Sequence, residues 1–331
     1  MFVSDKANWA LDEVANELRN SLGGQVTSVL RSRLHNPKSS RVFLSPDIFL
    51  QSQKFASLSP WGTKGFLNFF HGGPSDGVEF SDRFLELLRV KDKIRGIRVT
   101  NSDIADQLEA SQLSKNIAII PLGVEINQHS LRSETERVQF RSDMNIPLDA
   151  MIIGSFQKDG AGWDDGDIPK LEKGPDILVD TLLWLRKSGV TVHALLTGPS
   201  RGYVTNRLSQ ESIPFTYLGF VELEEVKQLY GFIDCYLVSS RLEGGPRAIL
   251  ETLASGRPVV STKVGQASQI LFGTNFGRVV DSLSAEDLGV ALIEQMNTWD
   301  DQVHPQLARL HASSFENIRA VSLWRQFLAA G

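Results

Sequence analysis

Short apolar runs alternate with longer amphipathic ones along nearly the whole chain. Compact apolar runs read as strands, and runs with apolar positions every three or four residues read as helices. In the first half, "MFVS", "RVFLS", "GFLNFFH", "IRVT" and "IAIIP" are expected strands; "NWALDEVANELRNSL", ended by Gly23-Gly24, and "SDIADQLEAS" are expected helices. The second half repeats the scheme more clearly. Strands are expected at "MIIGSF", "VHALLTG", "FTYLGF", "DCYLVSS", "PVVST" and "GRVV", with helices at "GPDILVDTLLWLRKSG", "ELEEVKQLYGF", "PRAILETLASG", "SAEDLGVALIEQM" and "SSFENIRAVSLWRQFLAA". Such alternation marks parallel sheets with crossover helices. The expected fold is α/β, with two Rossmann-like doubly wound domains facing a cleft and ligands bound beyond the carboxyl ends of the strands. Between them, "PLGVEINQHSLRSETERVQFRSDMNIPLDA" is polar, carries Pro121 and Pro147 and lacks a strand pattern, so it is expected to connect the domains.

Composition narrows the class. A chain of 331 residues suits two domains, and 41% hydrophobic with 22% charged residues is the balance of a soluble globular protein. No apolar run approaches the roughly 20 residues that span a bilayer. The start, "MFVSDKANWALDE", puts acids where a signal peptide needs a basic segment, so the protein reads as unprocessed and cytoplasmic. One cysteine, Cys235 in the strand pattern "FIDCYLVSS", excludes an internal disulfide framework and a cysteine-based zinc site, and reads as packing. Net charge is −5, carried by the second half, and no strongly basic domain points to nucleic acid. Two basic runs stand in the first half: Arg31, Arg33, Lys38 and Arg41; then Arg89, Lys91, Lys93, Arg95 and Arg98. They read either as a solvated face or as a patch for an anionic acceptor or for peripheral contact with the inner face of a membrane.

The chemistry concentrates in "SSRLEGGPRAILETLASGRPVVST", where Glu243 and Glu251 stand eight positions apart across a Gly-Gly-Pro bend. Pro246 opens the expected helix and Gly256 ends it. The helix N-terminus then follows a strand end directly, with unsatisfied N–H groups and a positive dipole end suited to phosphate, and Gly244 and Gly245 allow close approach. Side chains tilt toward a helix N-terminus, so both carboxylates can reach one small ligand. They would repel bare phosphate, so hydroxyls are their expected targets. The plainer reading makes Glu243 a cap and Glu251 a solvated residue, which the nearly all-round apolar helix disfavours.

This stretch resembles the E-x7-E motif and trailing "EAMACGxPVVATxxGG" of the family 4 retaining glycosyltransferases, which have the GT-B fold. "GSFQKDGAGWDDGDIPKLEKGPDILVDTLLWL", "TYLGFVELEEVKQLYGFIDCYLVSS" and the stretch from "VTNSDIADQLEAS" to "IAIIPLGVE" are similar to further motifs of that family, in order. The resemblance covers about residues 99–280 well. It implies an N-terminal acceptor-side domain over 1–130, short for the family, and a C-terminal nucleotide-sugar domain over 145–312, with the final helix, about 314–330, packing back on the first. Trp324 and Phe327 in that helix follow a second domain whose strands are already complete.

The same resemblance assigns site residues. Glu251 would bind the donor ribose, Glu243 with Gly244, Gly245, Arg247 and Ala248 the donor sugar and phosphates, and Lys173 the diphosphate, with no metal. Taken alone, Lys173 is an exposed residue before a helix. Gly154, Ser155, Gly198, Gly219, Phe220 and Val221 would line the donor pocket, the last two beside the nucleobase, although by periodicity they read as core. His71 would contact the donor sugar, and Asn8 and Trp9 would face the acceptor, although Trp9 also fits plain packing. The implied substrate is a UDP-hexose, glucose foremost, with a glycan or lipid-linked acceptor in bacterial polysaccharide or cell-envelope synthesis and no separate cofactor.

Departures from the pattern leave a second reading. Ser155 stands where the family has an arginine, so Arg247, Arg241 or Lys158 would have to replace it, or the chain is a catalytically idle sugar-nucleotide-binding or partner protein. The Gly- and Asp-rich insertion "QKDGAGWDDGDIPKLE" does not fit an EF-hand and is expected to be a mobile loop. A dinucleotide oxidoreductase is disfavoured, because the nearest approach to G-x-G-x-x-G, "GAGWDDG", runs into acids and Pro169.

Overall fold

The computed structural model describes residues 1–4, 10–28, 41–54, 64–69, 72–73, 76–113, 116–162 and 164–330. They divide into two units, Met1–Leu122 with Asn317–Gly331, and Gly123–Glu316.

The first unit holds β1 (Phe2–Ser4), β2 (Val26–Ser28), β3 (Val42–Phe43), β4 (Gly65–Asn68), β5 (Ile94–Val99) and β6 (Ile117–Ile119). They form one sheet of order β2-β1-β3-β4-β5-β6, and each neighbouring pair is parallel. The order reverses between β1 and β3, as in one common doubly wound pattern. β2 falls in "QVTS", where the sequence pattern gave no strand; three residues at a sheet edge are too few for a periodic signal. Helices Pro46–Lys54 and Val78–Arg89 also belong to this unit. Its core runs from Phe2 and Val3 through Phe43, Phe66 and Ile97 to Trp324 and Phe327 of helix Asn317–Ala329. Phe327 meets Phe66 edge-on at 4.9 Å and lies over Gly96, where a Cβ would come within 2.8 Å of its ring. Of the second basic run, Arg89, Lys91 and Lys93 are exposed, but Arg98 is buried, bonded to Asn68 and lying over the Trp324 ring. It is therefore not part of a basic surface. Arg31, Arg33 and Lys38 of the first run lie outside the described residues.

The second unit holds β7 (Met151–Phe156), β8 (Val192–Thr197), β9 (Phe215–Tyr217), β10 (Cys235–Val238), β11 (Val259–Thr262) and β12 (Gly277–Val280). Their order, β12-β11-β10-β7-β8-β9, is the Rossmann order with its reversal between β7 and β10. All pairs are parallel. Successive residues feed opposite faces, so Ile152, Leu195, Tyr236 and Val259 pack one core while Ile153, Leu196, Cys235 and Val260 pack the other. Burial pushes the Cys235 thiol up, in keeping with an inert packing role.

The polar stretch expected to link the domains instead belongs to this unit from Gly123 onward and contains helix Glu134–Asp143. Its N-terminus carries a capping box, with Ser133 and Glu136 satisfying each other's backbone N–H groups. Arg141 and Arg137 of the helix both hold Asp234 in ion pairs, the first at 2.6 Å, and Asp234 in turn accepts from the Ile152 N–H at the second residue of β7. A helix without a full apolar stripe is thus fixed by charge pairs that no hydrophobic period reveals, together with Phe140, whose ring stacks on Phe232 at 4.4 Å.

Candidate functional site

At the carboxyl ends of β7, β8 and β10 the loops of the second unit lock together. Helix Pro175–Lys187 starts after Gly174, which adopts a left-handed φ of 63°; a Cβ there would lie 1.9 Å from the Ser239 carbonyl oxygen. Only glycine allows both the conformation and that approach. The backbone N–H groups of Arg241 and Leu242 donate to the Glu172 carbonyl at 2.8 and 3.1 Å, so the loop after β10 hooks onto the turn Leu171–Lys173. On the other side, Gly265 closes on the Gly244 carbonyl, where a Cβ would sit at 2.6 Å.

This docking brings Lys173 to Glu243, with Nζ 2.6 Å from Oε1, and the Ser240 hydroxyl donates to the same oxygen at 3.1 Å. Residues 70 positions apart in the chain make one charge pair. Helix Arg247–Ala254 begins one residue later than the sequence indicated, with Pro246 as its cap, and Gly244, Gly245 and Pro246 are buried. Glu251 is buried within it, so the solvated reading fails. One of its oxygens accepts from the Tyr230 hydroxyl at 2.8 Å, and the other lies 3.8 Å from Nε of Arg247.

Ser155 is buried on β7 beside another arginine. Arg201, just beyond β8, donates to the Ser155 carbonyl at 2.7 Å, to the Ser155 hydroxyl at 3.2 Å and to the Thr197 carbonyl at 3.0 Å, and pairs with fully buried Asp159 at 2.9 Å. Burial raises the pKa of Asp159 while Arg201 opposes the rise. Sequence reasoning passed over Arg201; an arginine set directly after the strand end, in "TGPSR", was the available signal. Arg241, named as a replacement cation, is instead engaged by Asp176 through two bonds of 2.8 and 2.6 Å. The insertion expected to be a mobile loop is tied down. Gly160 bridges Pro169, the Gly202 and Tyr203 N–H groups donate to the Asp165 and Gly166 carbonyls, and the N-terminus of helix Gly202–Gln210 is thereby occupied. Among the described residues no group of three or more His, Cys, Asp or Glu could hold a metal ion.

Gly198, with φ 109°, lies at the end of β8, and its N–H donates to the Gly219 carbonyl at 3.0 Å. Beyond β9, Phe220 is 71% exposed and Val221 half-buried, so neither is core. Gly154 packs against Ile233 within β7, behind the loops, and Ala248 is half-buried in the first turn of its helix. His71, Asn8 and Trp9 lie outside the described residues.

Residues 166–298 match the family model of "Glycosyl transferases group 1". That span contains Lys173, Glu243 and Glu251. The chain is 26% identical over 243 residues to the D-inositol 3-phosphate glycosyltransferase of Corynebacterium urealyticum, covering 68% of this chain and 55% of that protein. It is 27% identical over 151 residues to the lipopolysaccharide core biosynthesis mannosyltransferase LpsB of Rhizobium meliloti, covering 43% of this chain and 42% of that one. The chain thus spans about half the length of the curated relatives it matches. It superposes on Anabaena HepE, solved with UDP and glucose, with a TM-score of 0.75 at 14% identity, covering 99% of this chain and 98% of that one. The fold is the two-domain Rossmann-like α/β architecture of GT-B glycosyltransferases. Among the described residues no helix is long and apolar enough to cross a membrane.

Proposed function

We propose that this chain is a retaining glycosyltransferase that moves a hexose, glucose from UDP-glucose, to an acceptor hydroxyl on a glycan or lipid-linked molecule without a metal ion. The observation that carries the reading is the meeting of Lys173, Glu243 and the opening of helix Arg247–Ala254 at one sheet's carboxyl edge. It supports a diphosphate beside Lys173, the helix N-terminus and Arg247, a ribose at Glu251 and a sugar at Glu243. Gly198, Gly219, Phe220 and Val221 would border the base. His71, Asn8 and Trp9 enter by resemblance only.

In this reading Lys173 exchanges partners. Glu243 holds it before donor arrives; donor phosphate then takes the ammonium and sugar hydroxyls take the carboxylate. As the bond from the anomeric carbon to the phosphate oxygen breaks, negative charge grows on the diphosphate, and fixed positive groups stabilise it where it develops. The departing phosphate oxygen accepts the proton of the incoming hydroxyl, which attacks the same face. Glu243 then serves to orient the sugar.

The test is the purified chain with UDP-glucose, followed by NMR for donor hydrolysis and for the anomeric configuration of transferred glucose, with and without a chelator. Turnover with retained configuration that survives chelation is expected. Loss on chelation would overturn the metal-free mechanism, and a chain that binds nucleotide sugars without hydrolysing or transferring any of them would establish the idle reading.

A further inference from the structure

Glu251 is not held by the protein in a symmetrical way. Its Oε2 accepts the Tyr230 hydroxyl at 2.8 Å, whereas Oε1 has Nε of Arg247 at the longer distance of 3.8 Å. Tyr230 comes from a separate element, the cap of helix Leu223–Leu229, and is only 2% exposed. Its ring is wedged among three others, edge-on to Phe156 at 4.9 Å, tilted to Tyr236 at 5.4 Å and to His129 at 6.2 Å. The neighbouring hydroxyl of Tyr236 cannot substitute, because it accepts the Phe156 N–H at 2.9 Å and donates back to the Phe156 carbonyl. Burial, and next the Glu251 charge, hold the Tyr230 phenol protonated far above neutral pH, so it acts only as a donor to the carboxylate.

A glutamate has three rotatable side-chain bonds, and fixing the carboxylate before ligand arrives removes the ordering cost from binding. We propose that Tyr230 is a positioning residue of the donor site: its hydroxyl pins Oε2 of Glu251 and so aims the other oxygen at the ribose, which makes Tyr230 a determinant of ribose recognition. The proposal rests on the donor-site reading above. Tyr230 does not touch the nucleotide; it acts through Glu251. Removing only its hydroxyl leaves the aromatic packing in place, so Tyr230→Phe is a mild change of shape.

Calorimetry with UDP, 2′-deoxy-UDP and 3′-deoxy-UDP, on the full chain and on Tyr230→Phe, Glu251→Gln and the double variant, tests it. The full chain should prefer UDP by about tenfold over at least one deoxy analogue, as loss of a hydrogen bond to a charged group implies. Tyr230→Phe should bind UDP about tenfold more weakly and discriminate by less than about threefold, and the double variant should be no worse than Glu251→Gln. A purely structural tyrosine would lower the melting temperature and leave the discrimination ratio alone; that result overturns the proposal. If Glu251→Gln keeps the full ratio, the donor-site reading fails and the proposal with it, so the silent variant shows which has failed.

Discussion

Truncating Glu251 removes the acceptor of a buried phenol's hydrogen bond, and this changes what the substitution should do. From the motif alone, both Glu251 and Lys173 are open to the ligand and their loss should leave stability untouched. With the Tyr230 hydroxyl left without an acceptor, Glu251→Ala should also destabilise the fold by about 1 to 3 kcal/mol, the usual penalty for an orphaned buried donor. Its UDP affinity should fall by about 1.5 to 3 kcal/mol as well. Lys173→Ala should weaken UDP to a similar degree with a smaller loss of stability, since the Ser240 hydroxyl still bonds the Glu243 carboxylate that Lys173 leaves behind. Glu243→Ala should do the reverse for UDP: it releases Lys173 for the diphosphate, so bare UDP binds as well or better while sugar transfer collapses. Calorimetry and thermal melts on the three variants check this, and a weakened UDP in Glu243→Ala would count against the partner exchange.

At the scale of elements, the site depends on how closely two strand-to-helix turns approach. Gly174→Ala meets both a left-handed φ and the Ser239 carbonyl at 1.9 Å, so it should destabilise by more than the roughly 1 kcal/mol of conformational strain and should also reduce UDP binding by moving Lys173. Gly189→Ala is the matched control: its φ is 84°, but nothing lies within 4 Å of the added Cβ. It should show the strain alone and normal UDP affinity. Denaturant titrations and calorimetry of the pair separate the two effects; equal losses would mean that the contact is relieved by a shift of the Ser239 loop. The same scale shows what the sequence pattern could and could not deliver. The inner strands of the second unit, β7, β8, β10 and β11, were legible because they bury both faces and read as largely apolar runs. Helix Glu134–Asp143 was read as a connector because it is held by Arg137 and Arg141 on Asp234 rather than by an apolar stripe. Its capping box, Ser133 followed by Glu136, was the signal that could have found it.

For the whole molecule, two buried histidines set a pH dependence. Burial chiefly, then the charges of Lys227, Arg247 and Arg309 against that of Glu251, pushes His129 down to about 4. Burial and Arg141 push His193 down to about 4. Their ordinary value is near 6.5, so the unfolded chain takes up these protons first as pH falls. The stability they contribute is fully present above about pH 6.5 and is lost between there and about pH 4, on the order of 3 kcal/mol for His129 and less for His193, whose charge solvent screens more. Denaturant midpoints measured from pH 7.5 to 4.5 should fall steeply below pH 6.5, and His129→Gln should flatten part of that slope; an unchanged slope would remove His129 from the account.

Hydrophobic period, Gly and Pro punctuation and the spacing of Glu243 and Glu251 determined by themselves the α/β class, most strands and the stretch at which to look, because these are local consequences of backbone geometry. Tertiary structure alone decided which charges meet. Arg241 goes to Asp176, Arg201 lies behind Ser155 with Asp159, Lys173 pairs with Glu243, and Tyr230 holds Glu251. Each of these pairs joins residues 21 to 70 positions apart. Their meeting depends on strand order and on the approach of turns at Gly174 and Gly265, and nothing in a local pattern carries that information, since the Coulomb and hydrogen-bond energies involved act only at the distances the packed fold creates.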